Sequence, residues 1–280
     1  MQLSSLRVAQ VALFWLSATF FSLPAVAQQE VRIGAAHFPP YTVRPEGGAD
    51  TGLLPEMVAA LNQLQSVYHF VVVPTALPRR FQDLKQGRID LAIFENPQWG
   101  WQDIDHINVD LGLEDAEVFV ALRKDGRGQG YFDSLAGKRL ALFSGYHYAF
   151  AGFDADPSWL ASHFDATLTY SHDSNLLMVL RGRVDIAPIT RSFLTDYLAH
   201  NPEAADKLMM SERVDQIYHH YAILRPGAPI SAEALRGYFQ QLHANGDLQR
   251  IFQPLRISVL PMPGLSAPMT SVPKSKAASE

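Results

Sequence analysis

The chain has 280 residues, 48% hydrophobic and 18% charged, with a net charge of −5 and no cysteine. That is apolar material for one or two ordinary cores. An acidic chain without a Lys/Arg cluster is a poor nucleic-acid binder, and the absence of cysteine excludes disulfides and a lipid-bearing thiol.

In chain order, residues 1–27 read as a secretory signal peptide: Arg7 in a short polar region, an apolar run from Val8 to Leu23, then Ala25-Val26-Ala27. Cleavage after Ala27 would remove Arg7 and leave a soluble mature chain, exported to the periplasm of a Gram-negative cell. Val31 to Ala35 is strand-like and closes at His37-Phe38-Pro39-Pro40-Tyr41, where two prolines hold the aromatics in an extended loop. Gly47-Gly48 and Thr51-Gly52 mark a turn. A helix opens at Leu54-Pro55-Glu56, with proline and an acid in its first turn and Met57, Val58, Leu61 and Leu64 on one face. Phe70 to Val73 is a second strand, and Pro78 begins a helix that runs to Gly87.

The segment Leu84 to Asn96, LKQGRIDLAIFEN, has a counterpart in Leu180 to Ser192, LRGRVDIAPITRS. Each copy has an amphipathic helix, a glycine suited to a left-handed stop and a buried strand. Such widely spaced copies suggest two similar α/β halves, the alternative being a chance recurrence of one turn. Between them lie a loop carrying Trp99 and Trp101, a strand from Glu117 to Leu122 and a turn-rich connector, Lys124 to Gly130. The second half opens with a strand at Lys138 to Phe143, then Ser144-Gly145 and the rings Tyr146, His147, Tyr148 and Phe150. Strands at Thr167–Tyr170 and Ile217–Leu224 and helices at Ser174–Leu180, Thr195–Ala199 and Leu235–Leu242 follow; Ser231 partly matches a capping box, and a last short helix holds Leu248, Ile251 and Phe252. Alternating strands and helices argue a mostly parallel α/β sheet in each half.

The strand into FPPY, the Thr-Gly-Leu before a helix, the GRIDLA strand, Gly137 to Ala141 and the closing Leu242 to Leu248 together resemble the periplasmic solute-binding proteins of the amino-acid type, family 3. The resemblance spans about residues 30–255. It implies a type II clamshell of two lobes, each a mostly parallel sheet flanked by helices. Lobe 1 would be 28–113 with 219–258, lobe 2 would be 114–218, the hinge crossings would lie near 112–117 and 216–221, and 259–280 would form a disordered tail. Ligand would bind between the lobes, beyond the strand ends, and closure would exclude water. Implied partners are a small molecule and an ABC permease or a membrane sensor, with the protein a monomer.

Amino-acid binders of this family hold the ligand's carboxylate with an arginine shortly after the first DLA strand, and its amine with an aspartate after the second. Here those places fall near Trp101-Gln102 and at Thr190. Unpaired charges in a closing cleft cost on the order of several kcal/mol, so a standard α-amino acid is a doubtful ligand. Phe38 and Tyr41 either stack a ligand or pack beneath the prolines. Arg79 and Arg80 form an anion clamp or a solvated pair. Glu95, Asn96, Trp99 and Trp101 follow a strand end, where the tryptophans wall a site or plug a core. Ser144, Tyr146 and His147 sit where backbone N–H groups could meet an anion, and Thr190 and Arg191 complete the candidate set. Asp90 and Asp185 read as structural. His219-His220 point to opposite faces of a strand, which argues against a metal site, and no cofactor is expected.

Three functions compete: a binding protein without catalysis, a dehydratase-like enzyme on the same scaffold using Glu95 or Glu56 with His147, and a purely interacting protein. No GxSxG, HExxH or P-loop favours the enzyme.

Overall fold

The computed structural model describes residues 28–44 and 51–262. The expected signal peptide lies outside these residues. So does most of the expected tail; its start is corrected, because Val259 pairs with Leu113 and Met262 is buried.

The first half runs β1 (Gln29–Ala35), α1 (Leu54–Leu64), β2 (Tyr68–Pro74), α2 (Arg80–Lys85) and β3 (Leu91–Glu95). β1 sits between β2 and β3, parallel to both. α1 turns Leu54, Met57 and Leu61 onto this sheet, where they meet a final pair of helices described below. The opposite face packs Leu84, Ile89, Ala92, Trp101, Ile104 and Ile223.

β4 (Ile107–Leu122) then carries the chain out of the first half. The second half holds β5 (Leu140–Phe143), α3 (Pro157–His163), β6 (Ala166–Thr169), α4 (His172–Leu180), β7 (Ala187–Thr190), α5 (Arg191–His200) and α6 (Pro202–Ala205). β5 pairs parallel with β6 and touches the chain before β7 through a parallel bridge at Leu140 and Ile186. β8 (Leu208–Leu224) returns to the first half, followed by α7 (Ala232–Ala244), α8 (Asp247–Phe252) and β9 (Ser258–Val259). The Ser231 hydroxyl accepts the Ala234 N–H at 3.1 Å and caps α7. Leu235, Phe239, Leu242, Leu248, Ile251 and Phe252 complete the core over β1.

β4 and β8 are 16 and 17 residues long, and pair antiparallel along nearly their whole length. Only Glu117–Leu122 and Ile217–Leu224 are expected as strand from the sequence. In β8 the polar stretch SERVDQ after Leu208-Met209-Met210 breaks the alternation and hides the strand, whereas INVDLGLE at the start of β4 does alternate and is a strand signal that a loop reading passes over. Separate apolar clusters form on either side of the crossings: two around β1–β3, two around β5–β7. The fold is therefore a two-lobe α/β clamshell strung on two shared strands. At mid-crossing Gly112 has φ +68°, and a Cβ there would come within 2.9 Å of Met262, so only glycine fits.

The repeated segment has the same atomic role in both lobes. Gly87 and Gly182 stop their helices at φ +67° and +64°. Asp90 then accepts the Arg32 backbone N–H and Nε, each at 2.9 Å. Asp185 accepts the Arg139 backbone N–H and Nε, each at 3.0 Å.

Candidate functional site

The loop after β1 is tied by reciprocal 2.9 Å bonds between Phe38 and Thr42 and contains a cis Pro39–Pro40 peptide. It sets the Phe38 ring at the mouth of a cavity between the lobes. Arg80, Glu95 and Trp99 enter from the first lobe, and Tyr146, His147 and Glu117 from the second lobe and the crossing strand. At about 40 Å³ the cavity in this arrangement has room for a few waters, so a larger guest requires the lobes to sit further apart. Gly145, at φ +85°, faces Leu77 across the seam, where a Cβ would sit 3.4 Å from the leucine. The Gln216 side-chain amide donates to the His147 carbonyl at 2.6 Å.

The first lobe supplies a buried ion pair. Arg80 Nε lies 2.8 Å from Glu95 Oε1, Trp101 Nε1–H donates to Glu95 Oε2 at 2.9 Å, and Arg80 also reaches the carbonyls of Leu77 and Trp99. Burial pushes the Glu95 carboxyl upward against the pull of Arg80, and lowers Arg80 in turn. Phe94, just before Glu95, has φ +56° and interrupts the β3–β8 register between Ala92 and Glu95. Such a bulge re-aims the side chains at a strand end.

The crossing strands supply a polar row. Glu117 of β4 is in register with Gln216 of β8 and Thr190 of β7, so the three side chains share one face. Thr190 donates to Glu117 Oε1 at 2.6 Å. Burial, together with the negative Asp115 and Asp215, pushes the Glu117 carboxyl well above the usual range. Two residues earlier, Asp115 takes the Tyr41 hydroxyl at 2.7 Å and lies 3.5 Å from Arg191 Nε. His147 bonds the Phe153 carbonyl at 2.7 Å through Nδ1, and burial lowers it to about 4, so it is neutral at physiological pH.

Of the residues singled out from sequence, Phe38, Arg80, Glu95, Trp99, Tyr146 and His147 line the cavity. The others stand back. Tyr41 is buried beneath Phe38, ring to ring at 5.0 Å, because its hydroxyl is committed to Asp115. Trp101 is wholly buried behind Glu95. Arg79 is turned outward to Asp83 at 3.3 Å, one step round the helix from Arg80. Asn96 bonds the His219 carbonyl at 3.2 Å. Ser144 gives its backbone N–H to Thr169; Thr190 and Arg191 serve Glu117 and Asp115. Glu56 sits on the surface, 3.4 Å from Arg250, and is not brought to His147. Sequence reasoning missed Glu117 and Gln216. The available signal was Asp115-x-Glu117, two acids on one face at the head of an otherwise apolar run.

Two α/β lobes joined by paired crossing strands, with an aromatic cavity carrying a few polar groups between them, define a clamshell binding protein. The chain belongs to the family described as ABC transporter, phosphonate, periplasmic substrate-binding protein, which it matches over residues 68–260; it is a periplasmic solute-binding protein. No curated protein sequence matches it. Among solved structures it is similar to a histidine kinase sensor domain with similarity to periplasmic binding proteins (17% identity, TM-score 0.62, 83% of this chain and 98% of that one). It is similar to an ancestral arginine-binding protein bound to arginine (16%, TM-score 0.62, 82% and 99%). A third is the GluR0 ligand-binding core from Nostoc punctiforme in complex with L-glutamate (14%, TM-score 0.60, 81% and 99%). At these identities the likeness is one of fold.

Proposed function

We propose that the protein, exported by its leader and acting as a monomer, captures a small molecule between its lobes and presents the closed form to an ABC importer or a membrane sensor. The lobes would be residues 28–113 with 219–258, and 114–218, moving about 112–117 and 216–221. What carries this reading is a cavity whose wall is shared by both lobes, from Arg80, Glu95 and Trp99 on one side to Tyr146 and His147 on the other.

The ligand is not a standard α-amino acid. The arginine of the wall is already matched by Glu95. The hydroxyl that stands in the usual amine-binding place, on Thr190, is bonded to Glu117. A zwitterion would bring a carboxylate to a wall with no uncommitted cation, and desolvating it unpaired is costly. Native mass spectrometry of the protein purified from periplasm should show a retained small molecule that is not an α-amino acid. Scattering that shows no compaction with any compound that raises the melting temperature would refute capture by closure.

A further inference from the structure

We propose that the cavity takes a small organic cation, a primary or secondary ammonium on a compact apolar body, with Glu117 as its counter-ion. This rests on the capture reading above and names the chemistry selected. Glu117 is buried, faces the cavity, and closes a hydrogen bond through only one carboxyl oxygen; the Tyr218 hydroxyl stands near enough to ease its ionisation, yet neither that hydroxyl nor Oε2 completes a bond. The Tyr146 hydroxyl is likewise buried on the cavity wall, near Thr190 but without a completed hydrogen bond. Buried polar groups left without a bond are costly; an ammonium supplies N–H donors to the Tyr146 hydroxyl oxygen and to Glu117 once its carboxyl has given up its proton.

The walls agree with that charge. Phe38 lies edge-on to Trp99 at 6.0 Å and to Tyr146 at 5.4 Å, so three rings border the space. Their faces attract cations. Arg80 is the sole Lys or Arg in the wall among the described residues, and its charge is answered by Glu95 at 2.8 Å. An anion entering the cavity meets no uncommitted positive side chain, whereas an ammonium meets a carboxyl with an oxygen to spare.

Proton exchange follows from the neighbours of Glu117. Asp115 on its own strand and Asp215 on β8 oppose its ionisation; the hydroxyls of Thr190 and Tyr218 ease it. Tyr146 and Tyr148 approach from the segment after β5, and His172 of α4 stands behind Thr190 at 3.2 Å, kept neutral by burial. None of these brings a positive charge, so the closed cleft keeps a proton on Glu117. An arriving ammonium replaces it: the Glu117 O–H proton leaves to solvent, and the carboxylate pairs with the ligand cation.

The test uses matched probes: 2-phenylethylamine, 2-phenylethanol and 3-phenylpropionate; butylamine, butanol and butyrate; and phenylphosphonate. Each is screened by thermal shift and then by calorimetry in two buffers of different ionisation enthalpy. The amines should bind, release a proton, and bind more tightly at about pH 8 than at about pH 6. Glu117→Gln should weaken amine binding by about 10- to 100-fold while melting no lower than wild type, and Tyr146→Phe should weaken it less. The proposal falls if folded Glu117→Gln binds the amines as well as wild type does, or if an alcohol or anion binds better than its matched amine. Either result leaves the capture reading standing. Failure of every probe, whatever its charge, overturns both.

Discussion

Replacing Glu95 by glutamine keeps shape and an acceptor for Trp101, but removes the charge that answers Arg80. The guanidinium is 2% exposed and would remain ionised, held only by the Leu77 and Trp99 carbonyls. Stripping one partner from a buried ion pair costs about 3–5 kcal/mol, and the two remaining carbonyls place this case near the lower figure. For a chain of this size that is a fall in Tm of about 6–12 °C. Arg80→Met strands the carboxylate instead, and a carboxylate can take up a proton. Because burial already raises Glu95, the Arg80→Met penalty is absent below the ordinary glutamate value of about 4.3 and grows as pH rises through the folded value. By the same sign the wild-type protein loses some stability as pH rises through the folded Glu95 value, so the Glu95→Gln penalty narrows over that range. Combining the two removes both charges and should restore most of the loss, because contacting residues are not additive. Urea and thermal melts of the four proteins at several pH values check this. A Glu95→Gln loss below about 0.5 kcal/mol, or a double variant equal to the sum of its singles, would refute the pair as a coupled unit.

Trp99→Ala should weaken ligand capture with little change in Tm, since Trp99 is on the wall, whereas Trp101→Ala should lower Tm by an amount typical of a large core truncation, about 3–5 kcal/mol; calorimetry and melts separate the two. Asp90→Asn should cost about 1–3 kcal/mol as a buried charged acceptor loses its bonds to Arg32 and Arg225. Asp185→Asn, at the equivalent but more open site, should cost less, which denaturant melts will rank. Both carboxyls are held below the usual range by their arginines, so their stabilisation is complete above the ordinary aspartate value and is lost as pH falls through the folded one. His147 is depressed to about 4 and so favours the folded state above its unfolded value. That stability should fall as pH drops from about 6.5 toward 4, and His147→Gln should flatten the Tm profile across that window.

Local pattern made much of the architecture legible. The apolar face of α1, the glycine stops at Gly87 and Gly182 and the strands that follow depend on neighbours a few residues away. The duplicate GR(I/V)D segment therefore disclosed two lobes before any contact was known. That each of β4 and β8 runs as one long strand was not legible, because each changes surroundings midway, from one lobe's core to the other's, and its side-chain pattern breaks there. Five of the six candidate residues that reach the cavity lie at or just after strand ends, where a clamshell places its ligand, and Arg80 enters from the first turn of α2.

What only tertiary structure decided is which charges are spent. Sequence supplied Arg79, Arg80, Glu95 and Arg191 as candidates, but spacing along the chain cannot say that Arg80 closes on Glu95, or that Arg191 turns to Asp115. It also could not bring Glu117 beside Gln216 and Thr190, since that row exists only where β8, β4 and β7 lie in register. Periodicity fixes the face a residue shows within its own element; pairing between distant elements fixes what that face meets.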